Sequence, residues 1–156
     1  MDKPGIRAQL LKICKEIQLK TIGHLGATME DAQKSANEYG CPRDRYDAYR
    51  AQLLRQRDMF AQQLQKAQGQ LDILNRIPAG KIFEKVGFGA VVQSDKNNLF
   101  ISIGLGKIKL TDTESSTTEE YYAISPQVPI YKEMEGKRAG DTFRFNGRVF
   151  TIREVF

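Results

Sequence analysis

Apolar residues in the N-terminal half of the chain recur at steps of three and four, which is the spacing of one face of an α-helix. The first series has these members: Ile6, Leu10, Ile13, Ile17, Leu25, Met29, Ala32 and Ala36. Gly23 and Gly26 weaken the middle of this predicted helix, by about 1 kcal/mol each relative to alanine. The series stops before Pro42, because Gly40 is a typical helix stop and the proline disfavours further helix.

A second helical series starts near Asp44 and runs for about thirty residues. Its members are Tyr46, Tyr49, Leu53, Phe60, Leu64, Ala67, Leu71 and Leu74, with Gln56 in the one polar gap. So narrow a stripe cannot surround a globular core and favours a single partner helix, and the short connection predicts that the first helix packs antiparallel to it. Residues 1–77 are therefore predicted to form a coiled-coil hairpin about 45 Å long, with its tip at about residues 38–47.

The hydrophobic period changes from helical to strand-like after Pro78. The predicted strands are residues 86–93, 99–105, 106–110 and 121–125. Residues 111–120 (TDTESSTTEE) are predicted as a polar loop. Asn146 and Gly147 give the strongest two-residue signal of a β-hairpin. The residues that share one face of that hairpin are Phe143, Phe145, Phe150 and Ile152. The sequence thus predicts the α+β class, with a small antiparallel β domain at residues 78–156.

Composition places few limits on function. The chain has 156 residues with 24 Lys and Arg against 19 Asp and Glu, and its net charge of +5 permits an acidic partner without requiring one. Most of the basic excess lies in residues 1–77, which hold 13 basic and 9 acidic residues. No apolar run approaches the length of about 18 residues that a membrane span needs, and the N-terminus lacks the core of a signal peptide. We therefore expect a cytoplasmic protein.

The cysteines and the histidine give no pattern of a catalytic or zinc site. Cys14 and Cys41 would lie far apart along the hairpin, so neither a disulfide nor a zinc site with His24 is predicted. Cys14 is expected to pack beside the seam of the first helix. Cys41 lies next to several arginines, which leaves open a redox-active thiol with a lowered pKa. We expect no cofactor of the chain's own and no enzymatic nucleophile.

Basic side chains recur along the second helix at Arg50, Arg55, Arg57 and Lys66. They are read either as a solvated helix face or as a strip that follows RNA phosphates. No ladder of aromatic residues accompanies them, so reading of a specific nucleic-acid sequence is not expected.

Residues 128–141 (VPIYKEMEGKRAGD) form a segment rich in turn signals. Pro129 is expected at a strand edge or a turn, because it cannot donate a hydrogen bond to a ladder. Gly136 and Gly140 bracket a basic turn, and Asp141 can form a hydrogen bond with that turn. By themselves these residues favour a structural role.

The same segment resembles the typical run Ser-Pro-Leu-x-x-Ala-Leu-x-Gly-Lys-x-x-Gly-Asp of the bacterial Gre factors, the GreA/GreB transcript-cleavage and elongation factors. The residues that match in kind and spacing are Pro129, Ile130, Met134, Gly136, Lys137, Gly140 and Asp141. Val128 replaces the serine, and residues 86–92 (VGFGAVV) resemble the family's first strand. A helical hairpin followed by a small β domain is also the layout of that family.

The resemblance implies an FKBP-like β domain that docks on RNA polymerase and a hairpin that enters the polymerase's secondary channel. The docking residues it implies are Pro129, Ile130, Lys132, Met134, Gly136, Lys137, Gly140 and Asp141. The implied protein is a monomer whose partner is RNA polymerase and, indirectly, nascent RNA. The candidates for contact with RNA phosphates, taken from the second helix itself, are Arg50, Arg55 and Arg57. It has no active site of its own and at most shares a Mg²⁺ ion with the polymerase.

The tip departs from the family pattern Gly-Asp-x-x-Glu-Asn-x-x-Tyr. Gly40 matches the glycine and Asp44 matches the glutamate, but Cys41 replaces the aspartate and Arg45 replaces the asparagine. Tyr46 matches the tyrosine only if two residues are deleted. A neutral thiol is a poor Mg²⁺ ligand, so the role of the family's tip in metal binding is in question here.

Three carboxylates remain as candidates at the tip, namely Asp44, Glu38 and Asp47. Asp44 is the weak metal-ligand candidate, but it is also a natural N-cap for the second helix, with Asp47 in the capping-box position. A tip that supports cleavage, a channel-binding regulator or inhibitor without cleavage, and a generic coiled-coil interaction module all stay open.

Overall fold

The computed structural model of the chain describes residues 2–38, 44–78 and 80–156, and for residues 44–47 it describes the backbone alone. The helices and strands follow in the order α1 (Lys3–Glu38), α2 (Asp44–Asn75), β1 (Val91–Ser94), β2 (Asn98–Ile101), β3 (Gly106–Asp112), β4 (Thr117–Ile124), α3 (Pro129–Met134), β5 (Thr142–Phe145) and β6 (Arg148–Val155). A long helical hairpin thus precedes a mostly antiparallel sheet, and the predicted α+β class is confirmed.

The chain divides into two compact units. The sheet unit combines Met1–Lys15 with Ile73–Phe156, so it includes the start of α1 as well as the strands. The hairpin unit comprises Glu16–Asp72. The domain boundary that the hydrophobic period places after residue 77 stays a prediction.

The hairpin unit is a pair of antiparallel helices. Gln18 of α1 donates from its Nε2 atom to the carbonyl of Ala67 at 2.7 Å and to Oε1 of Gln70 at 3.2 Å. Gln33, farther along α1, accepts a hydrogen bond from Arg57, which comes earlier in α2. Because later positions of α1 meet earlier positions of α2, the helices run in opposite directions, as predicted.

Among the described side chains, the buried stripe of the hairpin differs from the predicted one at Ile17, Gln18 and Tyr49. Ile17 is 36% exposed, whereas its polar neighbour Gln18 is 2% exposed. Gln18 is compatible with burial because its amide donates to a carbonyl of the facing helix. Tyr49 is 45% exposed. The assignment of Ile17 and Tyr49 to the seam was wrong. For Ile17 the reason is that hydropathy alone does not show that the neighbouring polar side chain, Gln18, has a hydrogen-bond partner in the interior.

The six strands form one sheet in the order β3-β4-β2-β1-β6-β5. Neighbouring strands are antiparallel except for β2 and β4, which are parallel. The sheet is therefore of the mostly antiparallel kind that the alternation of apolar residues indicated.

Residues 117–120 were wrongly predicted as part of a polar loop. They belong to β4 and pair with β3 as far as Asp112 opposite Thr117. The connecting turn is limited to residues 113–116, where Ser116 has a φ of 53° and the Glu114 N–H donates to Asp112 Oδ1. All side chains at 117–120 are exposed, so their polarity reflects a solvated strand surface.

One hydrophobic core of the sheet unit lies on one face of the sheet. Its buried members are Val86, Val92, Leu99, Ile101, Tyr131, Met134, Phe143, Phe150 and Ile152. Phe143 and Phe150 pair across the β5–β6 hairpin and stack with their ring centroids 4.9 Å apart. The turn between them has φ of 51° at Asn146 and 75° at Gly147, as a type I′ turn requires. The predicted hairpin and its apolar face are confirmed, with Phe145 partly buried against the core.

The opposite face of the central strands is buried as well. Val91 and Phe100 are 0% exposed although they alternate with core residues of the first face. Just before β1, Gly89 has a φ of 91°, and a Cβ atom added there would lie 3.1 Å from Cγ2 of Ile77 and 3.3 Å from Cζ of Phe83. Both the left-handed backbone conformation at position 89 and the closeness of Ile77 and Phe83 therefore favour glycine there.

We expect Gly89→Ala to lower the free energy of unfolding by about 2 kcal/mol, because a left-handed conformation costs an L residue roughly 1–2 kcal/mol and the two contacts add to it. Urea denaturation measures the change. Gly87→Ala is the matched control, since a Cβ atom there meets nothing within 4 Å, and we expect a change within about 0.5 kcal/mol. Equal effects of the two substitutions would contradict this account of Gly89.

Candidate functional site

The segment from Val128 to Asp141, here called the docking segment after its predicted role, contains α3 and the turn that leads into β5. Pro129 occupies the first turn of α3, where its missing N–H is not needed by the helix. Its predicted place at a strand edge or turn was therefore wrong. Val128 precedes it in an extended conformation, which is the conformation that a following proline favours.

The turn at the end of the docking segment is held by backbone hydrogen bonds and one carboxylate. The Arg138 N–H donates to Oδ2 of Asp141 at 2.8 Å, and the Asp141 N–H donates to the carbonyl of Arg138 at 3.0 Å. Gly136 and Gly140 have φ of 76° and 92°, which glycine adopts without strain. The prediction that these glycines bracket a turn stabilised by Asp141 is confirmed.

Neighbouring backbone anchors this turn to the rest of the sheet unit. The Val86 N–H donates to the carbonyl of Lys137 at 2.8 Å, and the Gly136 N–H donates to the carbonyl of Val86 at 3.0 Å. The bridge between Lys85 and Arg138 continues this pairing. The segment before β1 thus fixes the position of the turn.

The predicted docking residues differ in their exposure. Those with exposed side chains or backbone are Pro129, Lys132, Gly136, Gly140 and Asp141, and those that are half-buried are Ile130 and Lys137. Met134 is 0% exposed and belongs to the core. The exposed residues are accessible to a partner, whereas Met134 anchors α3 to the hydrophobic core.

The tip of the hairpin lies only partly within the described residues. Glu38 is the last residue of α1 and is exposed, and Asp44 is the first residue of α2. The predictions about Gly40, Cys41, Pro42 and Arg43 fall outside the described part of the chain, as do those about the side chains at 44–47. Among the described side chains, no group of three or more His, Cys, Asp or Glu could hold a metal ion.

The predicted RNA-contact arginines lie along α2 and are not equally available. Arg55 and Lys66 are exposed, and Arg50 is half-buried. Arg57 contacts Asp58 through Nη2 at 2.6 Å and Nε at 3.0 Å and also donates to Gln33. Arg57 is therefore engaged within the hairpin unit, which leaves Arg55 and Lys66 as the more accessible cations.

Cys14 is buried within the sheet unit beside Ser102. Burial raises the pKa of its thiol from 9.0 to about 11, and the Ser102 hydroxyl opposes this only in part. A thiol with so high a pKa is a poor nucleophile near neutral pH. Cys14 is thus a core residue, and its neighbour Ser102 follows β2.

A hydrogen-bonded cluster on the sheet was missed from the sequence. Gln93 donates from Nε2 to the hydroxyl of Tyr121 at 3.0 Å, and that hydroxyl donates to Oε2 of Glu119 at 2.9 Å. Burial raises the pKa of Tyr121 to about 12. Glu119 and Tyr121 share one face of β4 because they are two residues apart. The prediction of a loop at residues 111–120 placed Glu119 outside the strand, so the shared face was not recognised.

A second missed cluster brings two cations to the ring of Phe83. Cζ of Arg7 lies 5.1 Å from the ring centroid, and Nζ of Lys81 lies 4.9 Å from it. Arg7 also donates from Nη2 to the carbonyl of Pro78 at 3.1 Å. No local sequence pattern predicts this cluster, because Arg7 is far from Lys81 and Phe83 in the sequence.

Comparison with known proteins adds no relative. No protein-family model matches the chain, and no curated protein matches its sequence. Within the described residues, no helix is both long and apolar enough to cross a membrane.

We expect the stability of the protein to fall as pH rises from about 9 towards 11, because the buried Cys14 favours the neutral thiol and the unfolded chain ionises first. The contribution of Cys14 to stability is fully present below the pKa that its thiol has in the unfolded chain. It is lost as pH rises through the pKa that the thiol has in the folded protein. The wild type should lose about 1 kcal/mol more than Cys14→Ala between pH 8 and 10.

Urea denaturation at both pH values measures this difference. Cys41→Ala is the control, and it should retain the wild-type loss because Cys14 is intact. Parallel pH dependence in the wild type and Cys14→Ala would show that the thiol of Cys14 does not titrate as its burial requires.

Proposed function

We propose that this chain is an accessory factor of bacterial RNA polymerase that binds through the secondary channel and modulates elongation, as the Gre factors do. The observation that carries the proposal is one chain that joins a long antiparallel hairpin to a mostly antiparallel sheet with the ordered docking segment. The α2 helix has 32 residues and is therefore about 48 Å long. That length suits an element that must reach along a narrow channel.

In this proposal the docking segment binds the rim of the channel. Lys132 lies exposed on α3, and the turn at Gly136–Gly140 is fixed by Asp141 and by the backbone of Val86. A rigid turn loses little conformational freedom on binding, which favours affinity. The protein acts in the cytoplasm as a monomer, since a hairpin that enters a channel must be free.

The chain contributes ligands and charge rather than an active site of its own. Glu38 ends α1 and Asp44 begins α2, so each helix brings a carboxylate residue to the connection between them. A Mg²⁺ ion shared with the polymerase prefers such oxygen ligands and would stabilise the attacking and leaving oxygens of RNA cleavage. Asp44, with Glu38 or Asp47, would supply the ligand, and Arg55 would face the phosphates of the RNA.

A regulator without cleavage activity is the second form of this proposal. Cys41 stands where the family has a carboxylate, and Arg43 and Arg45 lie beside it in sequence. Basic side chains oppose the binding of a further cation, and a neutral thiol does not replace the lost ligand. Such a tip would occupy the channel and alter the elongation rate.

A generic coiled-coil interaction module is the alternative from another class. Leu19 is 55% exposed and Met59 is 48% exposed on the hairpin unit, which gives a second copy or another helix something to bury. A stable dimer in sedimentation, lost in Leu19→Glu, would favour this alternative over a free hairpin.

We expect the purified chain to bind core RNA polymerase, and Lys132→Glu to weaken the binding about tenfold, because charge reversal at a docking surface costs on the order of 1.4 kcal/mol. Surface-immobilised polymerase measures both affinities. Lys109→Glu is the matched control, since Lys109 is an exposed lysine of β3 outside the docking segment. If the wild type does not bind, the proposal fails.

We expect Asp44→Asn to abolish the release of short 3′ RNA fragments from a stalled, backtracked elongation complex in the presence of Mg²⁺, because it removes the leading candidate ligand. Asp72→Asn is the control, as Asp72 is an exposed carboxylate of the same helix. Gel analysis of the RNA measures the release. Unchanged RNA length together with an altered elongation rate would identify the regulator instead.

A further inference from the structure

A cavity in the sheet unit lies at the turn that joins β1 and β2. Its volume is about 350 Å³, and the described residues that line it are 93–98, Glu119 and Arg153. In the sheet, β4 lies next to β2 and β6 lies next to β1, so the turn has β4 on one side and β6 on the other. All of these lining residues are polar or charged. This site is here called the polar cavity.

Two of the four charged residues of the polar cavity already have partners. Asp95 and Lys96 form an ion pair, with Oδ2 and Nζ 3.5 Å apart. Oδ1 of Asp95 also accepts a hydrogen bond from the Thr151 N–H at 2.9 Å. Lys96 also donates to the carbonyl of Val149. These two charges therefore compensate each other and do not require a ligand.

The other two charged residues, Glu119 and Arg153, have opposite signs and do not pair with each other. Both side chains are exposed, and within the described part of the chain neither forms an ion pair. Glu119 lies on β4 and Arg153 on β6, and two other strands lie between them. Their backbones are thus three inter-strand spacings apart, which is about 14 Å. The polar cavity therefore has an acid at one side and a base at the other.

Glu119 is held in place by a chain of hydrogen bonds. Its Oε2 atom accepts from the Tyr121 hydroxyl at 2.9 Å, and that hydroxyl accepts from Nε2 of Gln93 at 3.0 Å. Tyr121 is 0% exposed, and burial raises its pKa to about 12, so the hydroxyl keeps its proton at neutral pH. The carboxylate is oriented in advance, and its Oε1 atom is left for a ligand.

Three amide side chains lie between the two charges. Gln93 donates through Nε2, so its Oε1 atom remains an acceptor, and Asn98 donates through Nδ2 to the carbonyl of Glu120 at 3.3 Å, so its Oδ1 atom remains an acceptor. Oδ1 of Asn97 accepts from Oγ of Ser94 at 3.0 Å, so its Nδ2 atom remains a donor. Gln93 and Asn98 are direct partners in the β1–β2 ladder. The polar cavity thus offers donors and acceptors between its acid and its base.

This arrangement disfavours the simpler kinds of ligand. A lone anion would satisfy only Arg153, and a lone cation would satisfy only Glu119. Among the described side chains, no group of three or more His, Cys, Asp or Glu could hold a metal ion. None of the described lining residues is aromatic, so the polar cavity has no surface on which a nucleic-acid base could stack.

We propose that the polar cavity binds a small zwitterion with a primary ammonium at one end and a carboxylate at the other, as in a free amino acid or a dipeptide. The ammonium meets Glu119 and the carboxylate meets Arg153. The free oxygens of Gln93 and Asn98 accept N–H groups of the ligand. The site lies outside the docking segment, so the proposal does not depend on a role at RNA polymerase.

The test is titration of the full-length ¹⁵N-labelled chain with glycine and with glycylglycine, followed by NMR. We expect shifts of the side-chain amide signals of Gln93, Asn97 and Asn98 and of the Nε–H signal of Arg153. Tighter binding of glycylglycine would identify a dipeptide site, and tighter binding of glycine would identify an amino-acid site; either result supports the proposal. The affinity should fall as salt is raised.

Blocked ligands test each charge separately. Acetylglycylglycine lacks the ammonium and glycylglycine amide lacks the carboxylate, so each should bind at least tenfold more weakly than glycylglycine. Trimethylglycine keeps both charges but has no N–H group, so it should bind more weakly than glycine, because the oxygens of Gln93 and Asn98 stay unpaired. These comparisons need no substitution in the protein and do not depend on the folding of a variant.

Glu119→Gln and Arg153→Gln should each weaken binding of both ligands about tenfold, because each removes one charge partner. Glu119→Gln keeps an oxygen that can accept from Tyr121, and Arg153→Lys, which keeps the charge, should retain most of the affinity. The matched controls are Glu133→Gln on α3 and Arg148→Gln on β6. Both alter exposed residues outside the polar cavity, and neither should change the affinity. Unchanged melting temperatures would show that the variants remain folded.

Several results would overturn the inference. These are no shift at ligand concentrations of several times about 1 mM, which corresponds to a weak specific affinity, shifts confined to other surfaces, and equal binding of the blocked ligands. Equal shifts of the same signals with sodium acetate alone or with methylammonium alone would assign a site for a single ion and would also overturn it.

Discussion

Burial of the sheet on both of its faces is the constraint on which the sheet unit depends. On the first face, Met134 of α3 belongs to one core with strand side chains such as Phe143 and Phe150. The second face carries Val91 and Phe100, which are fully buried. Met1–Lys15 and the residues from Ile73 onward belong to the same compact unit as this face. The sheet unit therefore includes the start of α1 and the end of α2.

Several buried polar side chains are held by hydrogen bonds. Arg7 donates from Nη2 to the carbonyl of Pro78 and lies over the ring of Phe83, where water is largely excluded. Gln18 in the hairpin unit donates to the carbonyl of Ala67. Tyr121 bonds to both Gln93 and Glu119 through its hydroxyl. Removing one partner from such a pair leaves a buried polar group unsatisfied, which costs more than the bond itself contributes.

The structure of the docking segment was predictable from its residues only in part. The turn at Gly136–Gly140 with Asp141 was predictable, because glycine and aspartate act through contacts with the next few residues. The helix at Pro129 was missed, since a proline can begin a helix as readily as it can end a strand. Residues 117–120 were missed because polar side chains occur both in loops and on solvated strands. The chemistry of the tip stays a prediction on sequence alone.

The sequence by itself determined the kind of each major element, the antiparallel hairpin, the Asn146–Gly147 turn and the face that the last two strands bury. Those features follow from periodicity and from backbone preferences, which act over a few residues. Only the tertiary structure decided that Gln18 and not Ile17 is buried, and that Arg7 meets the carbonyl of Pro78, 71 residues away. The physical reason is that a contact between distant segments depends on how whole elements pack, and no local pattern encodes that packing.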